Sequence, residues 1–305
     1  MGREVLFIRK SIKFNAEGTT LRGWLYLPLT SNKEKKPIVV MAHGYAGVKE
    51  MHLDRYAEQF SKAGLAVLVF DHRNFGESDG MPRQEINPWQ QIEDYRHAIT
   101  FASTIPEIDN DLIGVWGTSY SGGHVLVVGA TDKRVKCVVA QVPTISGSET
   151  AIRRANGDVL SELLTQFSGD RKSRQKGKHP TYYSVIPSEE LPSAVYKTND
   201  AIDFYTQSSK EAKNFINKVT LRSVELSRGY EPGHYISKIS PTPLLLLIAE
   251  NDNITHTDLA LAAYEKALQP KQLILLPGDH FDPYIKYFEL SCKSAMDWFL
   301  VHLLK

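Results

Sequence analysis

Several things are scarce in this 305-residue chain, and each shortage removes a class of protein. Its two cysteines, Cys137 and Cys292, cannot build a disulfide framework, and Cys137 lies in the apolar run VKCVVAQV, where it reads as a core residue. The longest apolar runs, such as Leu244 to Ala249, are too short to span a bilayer. Charge of one sign is missing too. With 36 Lys and Arg against 35 Asp and Glu, the chain carries no general field for nucleic acid or an anionic membrane. The opening residues MGREVLFIRK lack an apolar stretch followed by a small-residue cleavage site, and position 6 is not the Ser or Thr that myristoylation needs. The expected location is therefore the cytoplasm. No His, Cys or carboxylate cluster has metal-ligand spacing, and no P-loop, dinucleotide fingerprint or internal repeat occurs. Neither a metal nor a cofactor is expected.

What is present is an alternation of short apolar runs with helical stretches. PIVVMAHG (37–44), LAVLVFDHR (65–73), DLIGVWG (111–117) and VKCVVAQV (135–142) read as strands buried on both faces. Helical spacing separates them, as in PWQQIEDYRHAITFAST, with Pro88 near its first turn. That pattern predicts an α/β fold with a mostly parallel sheet flanked by helices. Ahead of it, FIRKSIKF and LRGWLYLPL flank NAEGTT and predict an N-terminal β-hairpin at the sheet edge. The alternation stops near residue 145 and resumes at PTPLLLLIAE (241–250), KQLILLPG (271–278) and an amphipathic terminal helix. The expected organisation is thus a core of residues 1–144 and 238–305, interrupted by a helical cap at 145–237.

GVWGTSYSGG, Gly114 to Gly123, runs from a strand straight into a helix through a small-residue corner. Such a corner lifts one hydroxyl above the sheet edge. Ser119 falls at the strand's end, with Gly117 and Ser121 as its small neighbours two residues either way. Ser121 would lie inside the first helical turn, its hydroxyl turned toward packing. Ser119 is the expected nucleophile. A base and an orienting carboxylate should follow later in the chain. Asp252 comes two residues after PLLLLIAE and His280 two after QLILLPG, both at strand ends on the same edge. Glu250 and Asp258 are competing acids, one still in strand register and the other already in helix. Asp279 and Asp282 are too close in sequence to reach the His280 imidazole easily. His72, His97, His124 and His256 read as structural or solvated. The backbone N–H groups of Tyr120, after the nucleophile, and Tyr45, after the His43-Gly44 turn, are the expected oxyanion donors.

With those residues, the stretches FDHRNFGESDGMPRQEINPWQQIEDYRHAIT, WGTSYSGGHVLVVGA and RGYEPGHYISKISPTPLLLLIAENDNITHTDLAL resemble the α/β-hydrolase superfamily over nearly the whole chain. Within it they resemble bacterial and fungal hydrolases grouped with polyketide-tailoring enzymes, which cleave or transfer acyl chains. They are more distantly similar to dienelactone-hydrolase-like and X-prolyl dipeptidyl peptidase-like enzymes. The resemblance implies a serine esterase or thioesterase using Ser119, Asp252 and His280, and Ser121 in place of glycine agrees with the subgroup. It leaves the substrate open, because cap and loops set function in this superfamily. The expected partner is a small-molecule ester or thioester, free or carrier-protein-bound, with a homodimer left open. Acyl transfer, peptide cleavage and a catalytically silent binding protein are the competing readings.

Within the expected cap, RKSRQKGKHP (171–180) holds five Lys or Arg and no acid. It reads either as a solvated mobile loop or as a basic rim that attracts an anionic acyl donor. Leu163, Leu164, Phe167, Tyr182 and Tyr183 nearby either line an acyl pocket or form the cap's own core.

Overall fold

The computed structural model describes residues 6–29, 34–191 and 193–304; of the leader reading above, residues 1–5 lie outside them. Two strands at the start, β1 (Phe7–Ala16) and β2 (Thr19–Pro28), form the expected antiparallel hairpin. Glu17 and Gly18 close it with φ of 52° and 88°, a turn whose twist matches that of the flanking strands.

The continuous apolar runs then become β3 (Lys36–Ala42), β4 (Ala66–Phe70), β5 (Ile108–Thr118) and β6 (Val135–Gln141). Between them lie α1 (Leu53–Lys62), α2 (Pro88–Ala102) and α3 (Tyr120–Thr131). Pro88 takes the first position of α2, and the Asn87 side chain caps it by accepting from the Trp89 and Gln90 N–H groups.

After β6 come α4 (Gly147–Arg154), α5 (Gly157–Gln175), β7 (Tyr182–Tyr183), α6 (Asn199–Ser208), β8 (Val219–Thr220) and α7 (Leu221–Ser227). A 3-10 helix, Pro232–Lys238, returns the chain to α3. The core pattern resumes with β9 (Leu244–Ala249), α8 (Thr257–Lys266), β10 (Lys271–Leu276) and α9 (Phe288–Leu303). The amphipathic stretch PYIKYFELSCKSAMDWFLVHLL begins at Pro283, whereas the last helix begins at Phe288. The segment before it, around the 3-10 turn Asp282–Tyr284, is tied to the core instead: Tyr56 donates to the Pro283 carbonyl at 2.7 Å, and the Tyr284 and Thr118 hydroxyls share a hydrogen bond.

The main sheet runs β1-β2-β4-β3-β5-β6-β9-β10, with β2 antiparallel to both its neighbours and every other pair parallel. Side-chain alternation splits each apolar run between two layers. Val40, Leu68, Val115, Val138 and Leu246 pack beneath α2, α3 and α8, while Val39, Met41, Val67, Trp116 and Leu245 pack beneath α1 and α9. Burying each such side chain contributes about 1.5–3 kcal/mol. All the parallel strands point their C-terminal ends the same way, so the loops leaving β3, β5, β9 and β10 gather at one edge.

The basic stretch is not a loop over its whole length. Residues 171–175 form the last turn of α5, which ends where Gly177 takes a φ of 73°. Lys, Arg and Gln are good helix formers, and composition alone hid that. Arg171 pairs with Glu225 at 3.1 Å and Arg174 with Asp170 at 2.7 Å.

Candidate active site

Ser119 is the only residue between β5 and α3. It holds φ 55° and ψ −116°, outside the regions open to ordinary L-residues at low cost. Neighbours fix it there. Its N–H donates to Gln141 at 2.8 Å, and its carbonyl accepts from Thr144 at 2.9 Å and Gly123 at 3.3 Å. The tight corner demands glycine where the chain doubles back. A Cβ on Gly117 would sit 2.1 Å from the Ser121 carbonyl oxygen, and one on Gly44 would sit 2.9 Å from the Ser119 Cβ.

The structure brings the three expected side chains together. His280 Nε2 lies 3.0 Å from Ser119 Oγ, and His280 Nδ1 lies 2.7 Å from Asp252 Oδ2. All three residues are buried, and Ser119 faces the cavity described below. Asp252 is held as carefully as its partner. Its Oδ1 accepts from the Ile254 and Thr255 N–H groups, both at 2.8 Å, and Oδ2 from the Thr255 hydroxyl at 2.9 Å. Burial by itself would raise the Asp252 carboxyl, but His280 and these donors outweigh it and hold it at about 2. An ionised acceptor requires a proton on Nδ1, which leaves Nε2 free to accept from the Ser119 hydroxyl. The competing acids are placed elsewhere. Glu250 is exposed, Asp258 pairs with Arg153 through both oxygens at 2.7 Å, and Asp282 accepts from the Asp279 N–H at 2.9 Å.

Neither the Tyr45 nor the Tyr120 backbone N–H has an acceptor among the described residues. Tyr120 opens α3, where the helix N-terminus favours negative charge. The loop carrying Tyr45 is held from both sides. His43 Nδ1 bonds the Gly44 carbonyl at 2.9 Å, fixing the peptide that carries the Tyr45 N–H. On the other side, the Tyr205 hydroxyl of α6 donates to the Tyr45 carbonyl at 2.7 Å.

Behind this loop lies a buried polar network that strand-end reasoning did not detect. Ser121 Oγ donates to the His43 carbonyl at 2.5 Å and meets His72 Nε2 at 3.0 Å. His43 Nε2 accepts from the His72 N–H at 3.2 Å, which assigns the proton to Nδ1 and so makes His43 the donor to Gly44. His124 bonds Tyr230 at 2.8 Å and Gln91 at 3.0 Å. Desolvation pushes all three imidazoles down, His72 and His124 far below the usual range. The signal was present for two of them: His43 and His72 end the β3 and β4 runs just as Asp252 and His280 follow β9 and β10. Lys49, also in the 43–52 loop, is wholly buried and reaches Asp71 and Glu77 at 2.7 Å and Glu50 at 3.1 Å. Burial would lower its ammonium, but the three carboxylates outweigh that and raise it.

A cavity of about 490 Å³ opens on Ser119, walled by Tyr45 and Tyr120 on one side and by α4, α5 and the end of α7 on the other. Leu163 and Tyr183 line it, Phe167 is buried away from it, and Leu164 is exposed. None of residues 171–178 lines it. A second space of about 30 Å³ lies between Ser119, His280 and the Tyr205 ring.

A strained serine between a parallel strand and a helix, with Asp and His supplied later from neighbouring strand ends, is the arrangement of an α/β-hydrolase. The sequence profile of the X-Pro dipeptidyl-peptidase (S15) family matches residues 17–282, and the chain belongs to that family. It is 33% identical over 287 residues to a thiohydrolase of Eupenicillium brefeldianum, covering 92% of this chain and 90% of that one. It is 30% identical over 274 residues to a polyketide transferase of Stachybotrys chlorohalonatus, covering 88% of each. The α/β hydrolase GrgF from Penicillium sp. sh18 superposes with a TM-score of 0.84 at 27% identity, over 98% of this chain and 100% of that one. These likenesses set the chain among α/β-hydrolases of the polyketide-tailoring group. No described helix is long and apolar enough to cross a membrane.

Proposed function

We propose that this protein cleaves a carboxylic ester or thioester through an acyl intermediate on Ser119. The observation that carries this reading is the unbroken row Asp252–His280–Ser119, at 2.7 and 3.0 Å, opening onto a large cavity. His280 takes the Ser119 proton as Oγ bonds to the substrate carbonyl carbon, and Asp252 supports the imidazolium that results. The Tyr45 and Tyr120 N–H groups receive the oxyanion. The bond to the leaving group breaks as His280 passes it the proton. Water then attacks the acyl-enzyme with His280 again as base, releasing the acid and restoring Ser119. The space of about 30 Å³ beside His280 is large enough to admit the attacking water.

Residues 145–237 act as the cap in this reading, because α4, α5 and α7 supply much of the cavity wall opposite Ser119. Removal of a dipeptide from a free amino terminus is the competing reaction that the family name suggests. Such a substrate brings an ammonium group, which a cavity wall with three cations and one acid among the described residues does not favour. Stopped-flow hydrolysis of p-nitrophenyl esters tests the proposal. An initial burst of about one p-nitrophenol per Ser119 supports an acyl-enzyme, whereas no turnover of any ester or thioester overturns it.

A further inference from the structure

The cavity beside Ser119 carries unbalanced charge. Among the described residues its wall holds Arg154, Lys197 and Arg228, with Glu162 as the one acid. Arg154, at the end of α4, is steadied by stacking 5.1 Å over the Tyr196 ring and by one bond from Nη2 to the Ile254 carbonyl at 2.8 Å. Apart from that carbonyl and the Tyr196 side chain, no acceptor among the described residues holds its guanidinium. Arg228 follows α7 and is partly buried, yet its side chain forms no hydrogen bond, ion pair or ring contact among the described residues. Lys197 is exposed at the mouth and equally unpaired. Glu162 is turned toward Gln166, whose amide donates to it at 3.3 Å. The contrast with the basic stretch on α5 is direct: there Arg171 and Arg174 are each paired with an acid and face away from the cavity.

Arg228 is partly buried without an acidic partner among the described residues, so the fold gives its charge no counterion. A ligand can supply one, and guanidinium forks suit carboxylate and phosphate oxygens. The rest of the wall includes Leu163, Val224 and Ile254, which accept an alkyl segment. We infer that this cavity is an anion-accepting subsite. Arg228 and Arg154 are specificity-determining residues for an ester or thioester whose far end bears a carboxylate or a phosphate. This rests on the ester-cleaving reading above and names its substrate class. The anion has two sources: the acyl chain, as in a half-ester of a dicarboxylic acid, or the leaving group, as in a thioester of a phosphate-bearing thiol.

Four probes, used with the full chain, separate these. Mono-p-nitrophenyl adipate is compared with p-nitrophenyl hexanoate, and the hexanoyl thioester of 4′-phosphopantetheine with that of N-acetylcysteamine. The proposal expects wild-type kcat/KM to favour the anionic member of one pair by about tenfold or more, the pair naming the source. In Arg154→Gln/Arg228→Gln that ratio falls to about 1, while Arg171→Gln/Lys172→Gln, away from the cavity, keeps it. The rate of labelling by a neutral active-serine phosphonate reports whether each variant retains a formed site. In wild type alone, raising ionic strength from 0.01 to 1 M should lower kcat/KM for the anionic probe more than for its neutral partner. A wild-type ratio near 1 in both pairs, or one unchanged by the double cavity substitution, overturns the subsite while leaving ester cleavage standing. No turnover of any probe and no phosphonate adduct overturns the ester-cleaving reading itself, and the subsite falls with it.

Discussion

The Tyr205 hydroxyl, on a helix of the segment between β6 and β9, donates to the Tyr45 carbonyl on the loop after β3 at 2.7 Å. Tyr205 is buried, stacked on Tyr196 and Phe215, so the bond is shielded from water. Together with the His43 bond to Gly44, it pins both peptides around the Tyr45 α-carbon. Tyr205→Phe keeps the ring packing and removes this restraint. A lost neutral hydrogen bond is worth about 1 kcal/mol, so kcat is expected to fall about fivefold with KM little changed. Steady-state kinetics on one ester checks this; an unchanged kcat would show that Tyr45 holds its place without Tyr205.

The two corner serines separate cleanly. Ser119→Ala removes the nucleophile and should lower turnover by several orders of magnitude without unfolding. Ser121→Ala instead leaves the His43 carbonyl and the His72 ring without their buried partner, at a cost of about 1–3 kcal/mol. Its expected signature is a melting temperature lowered by several degrees with turnover retained. Thermal unfolding and ester turnover on both variants decide the matter, and the opposite pattern would make Ser121 the nucleophile.

Asp252→Asn should lower kcat by up to about 10⁴, because an amide facing Nδ1 admits the wrong imidazole tautomer. With its carboxyl held at about 2, Asp252 stays ionised throughout mild acid, so the acid limb of kcat/KM does not belong to it. A kcat/KM profile whose acid inflection falls at about pH 4, in the ordinary carboxylate range, would contradict that assignment.

Acid should destabilise the fold itself. His43, His72 and His124 have lowered values when folded, so the unfolded chain binds more protons than the native one below about pH 6.5. Stability is complete above that pH and is lost as pH falls toward the folded values. Each histidine adds up to about 1.4 kcal/mol per pH unit in that window. Urea unfolding at pH 7.5 and 5.5 should show a clearly lower midpoint at 5.5; equal midpoints would mean that the imidazoles charge freely in the native state.

How much of this was legible depends on what each residue does. Strands buried on both faces announce themselves as continuous apolar runs, and Ser119, Asp252 and His280 were placed by counting from the ends of such runs. The segment between β6 and β9 answers to a different constraint. In α5, Val159 and Leu163 line the cavity together with the polar Glu162 and Gln166, Phe167 packs inward, and Leu164 is 50% exposed, so no single apolar stripe forms. His72 and His124, read as structural or solvated, are buried, but their partners Ser121, Tyr230 and Gln91 come from distant parts of the chain and leave no local pattern, and Lys49 escaped because nothing local distinguishes a buried lysine from a solvated one. Two of its three neutralising carboxylates, Asp71 and Glu77, arrive from more than twenty residues on.

The central claim is that Ser119 carries the acyl group, and locating the covalent bond tests it most directly. The protein is allowed to react with a neutral p-nitrophenyl phosphonate, digested, and sequenced by tandem mass spectrometry. The adduct is expected on Ser119 alone, stoichiometric in wild type and absent in Ser119→Ala. An adduct on Ser121, or none while ester turnover proceeds, would contradict the account.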